Sequence, residues 1–186
     1  MNYKYLVPSL LLLIFAASCA EENPLPKPKA QMRLEYPKGQ LANLETDNFS
    51  FSYNQRANPK QNKDKAYTME YPDMKAAIFL SYMPINNNLE KLIQDAKRLS
   101  YEHAAKADNI VEQPFVNPDS HVYGSLFEVQ GNAASQTQFF VTDSISHFLT
   151  GSVYFYTKPN YDSILPAASY LQNDIRGIME TLQWRE

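Results

Sequence analysis

The sequence has little of several residue types that build common functional sites. Of its 186 residues, only one is cysteine, three are histidine and five are glycine. A single cysteine excludes an internal disulfide framework and any zinc or iron–sulfur site made of clustered cysteines. The glycines are scattered, and the chain contains no glycine-rich phosphate loop, no G-x-S-x-G motif and no H-E-x-x-H motif. We therefore expect no metal and no other cofactor.

An excess of positive charge is also missing. The 17 Lys and Arg residues face 20 Asp and Glu residues, which gives a formal net charge of -3. A nucleic-acid-binding protein would show a basic face, so nucleic acid is not expected as a partner. With 44% hydrophobic and 20% charged residues, the composition is typical of a folded domain with a buried core. The length suits one domain with some chain left over.

The N-terminal residues have the layout of a bacterial lipoprotein signal. Lys4 is the only charge before Cys19, and an almost continuously apolar run covers residues 6–15. This run is too short to span a hydrocarbon core of about 30 Å comfortably. The segment AASC at residues 16–19 resembles a lipobox, although alanine stands at its first position, where leucine is commonest. We predict a signal peptide at residues 1–18 and acyl chains such as palmitate on Cys19. The alternative is an ordinary cleaved signal with an incidental cysteine.

Residues 19–48 are predicted to form the lipid anchor and a spacer. Pro24, Pro26 and Pro28 alternate, which favours extended backbone and a semi-rigid linker. The acidic residues Glu21 and Glu22 resemble a signal that routes some lipoproteins to the cell surface. They are equally consistent with the start of a solvated linker, so the sequence leaves the leaflet open.

Residues 49–186 are predicted to form one α+β domain. Strand patterns cover residues 49–53, 67–71, 75–82, 110–116, 122–129, 137–142 and 147–157, and residues 54–65 read as a polar loop. Helical patterns cover residues 87–108 and 162–184, with a capping box at Asn87 and Glu90 and with Pro166 in the first turn of the second helix. The strand at 75–82 is apolar on both faces, which favours a central position, and Pro114 favours an edge.

Short turns between consecutive strands favour antiparallel pairing. We therefore predict a twisted antiparallel sheet with both helices packed on one face. In order of elements this arrangement is similar to the PsbP/Mog1-like fold, an analogy of architecture that carries no function.

Candidate catalytic residues are few. Ser144 or Ser146 could be combined with His147 and Asp143 into a Ser-His-Asp set. Such residues are common in polar turns, however, and adjacency in sequence does not give triad geometry. We therefore predict a turn at this place and no enzymatic activity. His103 is predicted to pack beside the first helix, and His121 to lie in a solvated turn.

Two clusters of uncharged polar residues are the candidate interaction surface. One lies between a strand and a helix and the other between two strands: Asn86, Asn87, Asn88, Asn132, Ser135 and Gln136. Such side chains commonly hold turns and caps, whereas loops on a rigid scaffold commonly carry binding, so both interpretations stay open. The 13 Tyr and 10 Phe residues raise the possibility of glycan binding, but aromatic residues are ordinary in strands and also suit protein contacts.

Several segments carry a specific resemblance when they are taken together. They are PINNNL at 84–89, GNAASQTQFF at 131–140, TDS at 142–144, HFL at 147–149, Gly151, DI at 174–175, and METL at 179–182 with Trp184. In these segments the chain resembles the gliding motility lipoprotein GldD family over nearly all of its mature length. The resemblance implies an envelope lipoprotein required for gliding over surfaces. It also implies a place in the envelope machinery shared with type IX protein secretion. It brings no catalytic residues, so only the acylated Cys19 is carried over.

The resemblance and the residues together predict a non-enzymatic, lipid-anchored protein of the outer membrane. We expect it to act as a scaffold or assembly factor whose partners are the membrane and other gliding and type IX secretion proteins of the envelope. The alternative is a module that binds an envelope glycan such as peptidoglycan.

Overall fold

The computed structural model describes residues 35–102, 107–157 and 160–185. Their two helices are α1 (Leu89–Tyr101) and α2 (Tyr161–Thr181), and a 3₁₀ turn covers Pro72–Met74. The strands are β1 (Leu41–Glu45), β2 (Phe49–Asn54), β3 (Asn58–Gln61), β4 (Ala66–Tyr71), β5 (Ala76–Pro84), β6 (Ala107–Asn117), β7 (Val122–Gly131), β8 (Thr137–Thr142), β9 (His147–Phe155) and β10 (Gln183–Trp184). The predicted α+β class is confirmed.

The strands form two antiparallel sheets. The larger sheet has seven strands in the order β3-β4-β5-β9-β8-β7-β6, and the smaller one has the order β1-β2-β10. As predicted, β5 lies inside the larger sheet and β6 lies at its edge, where Pro114 requires no partner on its outer side. The predicted hairpin between β8 and β9 is also present, because Gln138–Thr142 pair with Ser152–Phe148.

The two helices lie on opposite faces of the seven-stranded sheet, rather than on one face as predicted. Phe139 and Phe140 are consecutive in β8, so their side chains point to opposite faces. Phe139 belongs to the larger core, together with Leu171 and Ile175 of α2. Phe140 belongs to a smaller cluster, against which Leu92 of α1 packs. All six residues of β8 are buried, which requires a cover on each face.

Three strands do not follow from the hydrophobic pattern. β3 lies inside the predicted polar loop. Its four residues are all exposed, and it is held to β4 by backbone pairing and by the ion pair of Lys60 with Glu70 at 2.7 Å. β1 pairs with β2, so the folded body begins before the predicted boundary at Phe49. Trp184, which was predicted at the end of the second helix, lies in β10 and pairs with Phe49.

The helix boundaries also differ from the prediction. α1 ends at Tyr101, and Ala107 and Asp108 belong to β6, so the predicted helix at 87–108 is too long. Pro166 lies inside α2, beyond its first turn, which the helix tolerates within an otherwise continuous span. The predictions for the signal peptide, Cys19, the proline-rich spacer and His103 concern residues outside the described ranges. Within those ranges, neither helix combines the length and apolar character needed to cross a membrane.

Candidate functional site

The two polar clusters lie at opposite ends of the seven-stranded sheet. The last residue of β5, Pro84, pairs with the first residue of β9, His147. The last residue of β7, Gly131, pairs with the first residue of β6, Ala107. Because neighbouring strands are antiparallel, residues 86–88 lie at the end that also holds the β6–β7 and β8–β9 turns, and residues 132–136 lie at the other end. The six residues therefore do not form one surface.

The cluster at 86–88 is a turn that leads into α1. The Asn86 N–H donates to Asn88 Oδ1 at 2.7 Å, and Asn87 adopts a left-handed φ of 55°. The N-cap is Asn88, and its side chain makes no capping hydrogen bond, so the predicted capping box of Asn87 and Glu90 is not formed. The side chains of Asn86 and Asn87 are exposed and stay available for contact.

In the second cluster, at residues 132–136, the side chains of Ser135 and Gln136 are buried and bond to backbone carbonyls next to them in the chain. Ser135 is 0% exposed and donates its hydroxyl hydrogen to the Thr137 carbonyl. Gln136 is 4% exposed, and its Nε2 donates to the Ala133 carbonyl at 2.8 Å. Asn132 is exposed, and its Oδ1 accepts from the Tyr161 N–H at the start of α2. The burial of Ser135 and Gln136 favours the interpretation that they hold the turn, and their role as contact residues stays a prediction.

A cleft of about 400 Å³ lies at the same end of the sheet as Asn86. Three segments distant in sequence line it. They are the β6–β7 turn (residues 119–121), the β8–β9 turn (residue 143 and residues 145–147) and the C-terminal segment (residues 183–185). We call it the Trp184 cleft. The sequence prediction missed it because its third wall is β10, which the pattern placed in a helix.

Trp184 is fixed between the two turns. Its indole Nε1–H donates to the His121 carbonyl at 3.1 Å, and its ring stacks on His147 with centroids 5.2 Å apart and planes 9° apart. Gln183 Nε2 donates to Ser120 Oγ at 2.9 Å, and β10 also pairs with β2. The C-terminal segment is therefore held by both sheets.

Asp143 organises the β8–β9 turn. Its Oδ1 accepts the backbone N–H groups of Ile145, Ser146 and His147 at 2.8–2.9 Å. Burial acts to raise the pKa of Asp143, but these three donors and the nearby His147 outweigh it and hold the pKa below its usual value. The predicted turn at this position is confirmed.

His147 is held by its neighbours, but the Asp143 carboxylate does not bond to its imidazole as it would in a Ser-His-Asp triad. Its Nδ1 lies 2.8 Å from the Tyr82 hydroxyl, and Asp143 reaches His147 through the backbone N–H. Burial, followed by the charge of Asp143, raises the pKa of Tyr82, so its hydroxyl stays protonated. Ser144 adopts a left-handed φ of 68°, and its N–H donates to Thr142 Oγ1. The histidine predicted in a solvated turn, His121, is exposed there with a φ of 52°.

A second polar group lies where the N-terminal segment meets α2. The Asp174 carboxylate accepts from the Tyr71 hydroxyl at 2.9 Å and from Asn54 Nδ2 at 3.1 Å. Asn54 Nδ2 also donates to the Tyr170 hydroxyl, which itself donates to the Pro37 carbonyl at 3.0 Å. The sequence did carry a signal for this group, because Tyr170 and Asp174 are four residues apart and therefore share a helix face.

Metal binding finds no support in this arrangement. His121, Asp143 and His147 line one cleft, but within residues 35–102, 107–157 and 160–185 no three His, Cys, Asp or Glu side chains are placed to hold one ion. Each wall of the cleft is instead fixed by hydrogen bonds and ring stacking.

Comparison with known families gives one match that covers most of the chain. The profile described as gliding motility lipoprotein GldD matches residues 21–184. A comparison with curated proteins found no match. The matched range includes the folded body, both polar clusters and Trp184. The chain therefore belongs to the gliding motility lipoprotein GldD family.

Proposed function

We propose that this lipoprotein acts without catalysis, as a scaffold or assembly factor of the envelope machinery shared by gliding and type IX secretion. We also place it in the outer membrane, held there by acyl chains on Cys19. The observation that carries the proposal is that the candidate catalytic side chains are engaged in contacts that hold the fold together. Asp143 Oδ1 binds three backbone N–H groups, and His147 Nδ1 bonds to Tyr82 while its ring stacks on Trp184.

The attachment of the N-terminal segment supports the same proposal. The Tyr36 ring packs edge-on against Tyr170 with centroids 5.6 Å apart, and the Pro37 carbonyl accepts from the Tyr170 hydroxyl. This part of the predicted spacer is thus fixed to α2. Such an attachment suits a protein that holds partners at a set distance from its anchor.

Two conservative variants test the absence of catalysis. Asp143→Asn keeps an oxygen for the three backbone donors, and Ser144→Gly relieves the left-handed backbone at a turn. A Ser-His-Asp enzyme would lose most of its activity in Asp143→Asn, and one built on Ser144 would also lose it in Ser144→Gly. We expect both variants to restore single-cell gliding to a deletion strain. Loss of gliding, with unchanged abundance and thermal unfolding temperature, would overturn the non-enzymatic proposal.

A further inference from the structure

The Trp184 cleft has the size and the fixed geometry of a ligand site. Its volume of about 400 Å³ falls within the range of about 300–1,000 Å³ that is common for small-molecule sites. Trp184, the only tryptophan of the chain, is oriented by the His121 carbonyl on its Nε1 and by the His147 ring against its own. His147 is fixed in turn by the Tyr82 hydroxyl. A platform held in this way loses little conformational entropy when a ligand binds.

Part of the polar lining is not used by the fold. Asp119, Ser146 and the imidazole of His121 line the cleft, and in the described part of the chain their side chains make no hydrogen bond or ion pair. By contrast, Arg185 pairs with Glu45 at 2.9 Å, and Asp143 Oδ1 is occupied by backbone N–H groups. A hydroxyl, a carboxylate and an imidazole are thus available around the indole.

The charges of the lining restrict the class of ligand. Two carboxylates, those of Asp119 and Asp143, line the cleft together with Arg185, which forms an ion pair with Glu45. This balance disfavours phosphate, nucleic acid and other anions, because like charges repel. Neutral hydroxyl groups, which both donate and accept hydrogen bonds, match the available groups. The apolar C–H face of a pyranose ring matches the electron-rich face of an indole.

We propose that the Trp184 cleft binds a neutral oligosaccharide of the cell envelope. A sugar ring packs against the part of the Trp184 ring that lines the cleft and is not covered by His147 or the larger core, and its hydroxyls bond to Asp119, Ser146 and His121. The register places this site away from the N-terminal attachment. Leu41 pairs with Asn54, whereas Trp184 pairs with Phe49, and five residues of β2 correspond to about 17 Å. The inference goes beyond scaffolding, since it gives the domain a second contact besides its protein partners.

The single tryptophan provides a readout specific to the site. The full mature lipoprotein, in a detergent without a sugar headgroup, is titrated with tetrasaccharides of N-acetylglucosamine, glucose and mannose while Trp184 emission is recorded. We expect a saturable change with at least one of them. For the double variant Asp119→Asn/Ser146→Ala, we expect the affinity for that sugar to fall at least about tenfold. The reason is that one hydrogen bond is lost and another is weakened. Ser81→Ala, an exposed serine in β5 outside the cleft lining, is the matched control and should bind normally.

Three results would overturn the proposal. The first is the absence of a saturable response to all three sugars. The second is equal affinity in the double variant and the wild type, which would place the sugar elsewhere. The third is a saturable response to a tetralysine peptide with none to sugars, which would assign the cleft to a cationic protein segment. Because none of these measurements involves gliding, each outcome is independent of the scaffold proposal.

Discussion

At the residue scale, Asp174 is the charged group whose role in stability is most sharply defined. Burial raises the pKa of this carboxyl above its usual value, although hydrogen bonds from Tyr71 and Asn54 and the charge of Arg56 oppose the shift. The folded state therefore holds this proton more tightly than the unfolded chain, in which an aspartate has a pKa of about 3.9. As the pH rises from that value through the raised pKa of the folded state, Asp174 makes the protein less stable.

Because the charge of Asp174 lowers the stability of the folded protein, removing that charge should not destabilise it. Asp174→Asn carries no charge and keeps one oxygen for the Tyr71 hydroxyl and Asn54. We expect its free energy of unfolding at pH 7 to equal or exceed that of the wild type. We also expect the difference between the two proteins to shrink toward pH 4. Denaturant unfolding at the two pH values measures both quantities.

Asp174→Ala is the matched comparison. It leaves the Tyr71 hydroxyl, in a residue that is 2% exposed, without its acceptor, which should cost about 1–3 kcal/mol. If Asp174→Asn were as unstable as Asp174→Ala at pH 7, the negative charge itself would be required, and the stated effect of burial would be wrong.

The types of residue in the sequence predicted the positions of turns better than they predicted which polar side chains are exposed. The Asp143 turn and the solvated position of His121 followed from polar residues in a short connection. The inward direction of Ser135 and Gln136 did not, because a loop that folds over its own carbonyl groups looks in sequence like an exposed one. Side-chain direction in such a loop depends on backbone turns that composition does not specify.

At the element scale, the two helices pack against separate hydrophobic clusters, because they lie on opposite faces of the seven-stranded sheet. Phe140 stacks on Phe148 with centroids 5.6 Å apart, and both belong to the cluster under α1. The α2 side is built from Phe139, Leu171 and their neighbours in the larger core. A cavity on the α1 side should therefore loosen α1 before α2.

Phe140→Ala tests this separation. Phe140 is 5% exposed, so its truncation should lower the free energy of unfolding by about 3–5 kcal/mol. Native-state hydrogen exchange should show a larger loss of amide protection in α1 than in α2. Tyr156→Ala, at a residue that is 61% exposed, is the control and should change stability by no more than about 0.5 kcal/mol. Equal losses in the two helices would contradict the two-sided packing.

The elements that the sequence predicted are those with strong periodicity. β5, β7, β8, β9 and both helices carry apolar residues at regular spacing, and their existence is confirmed. β3 and β10 lack that signal, because β3 is fully exposed and β10 has only two residues. Since β10 forms one wall of the Trp184 cleft, the cleft could not be assembled from local patterns. Its residues are brought together by pairings 63 positions apart.

At the scale of the whole molecule, the N-terminal attachment and the Trp184 cleft occupy different places along β2. The first is fixed at Tyr170 and Asn54, and the second at the Phe49 end of the same strand. A domain with its N-terminal attachment at one place and the proposed ligand cleft at another suits a protein that connects envelope components. The proposed role therefore depends on both the proposed anchor at Cys19 and the folded body.

The most direct measurement uses a deletion strain that carries no copy, the wild-type gene or the Cys19→Ala variant. Single-cell gliding and the secreted cargo of the type IX pathway are scored in the same cultures. A scaffold of the shared machinery predicts that both are lost in the deletion, that both return with the wild type, and that Cys19→Ala restores neither. Normal secretion in a strain that no longer glides, or full rescue by Cys19→Ala, would contradict the account.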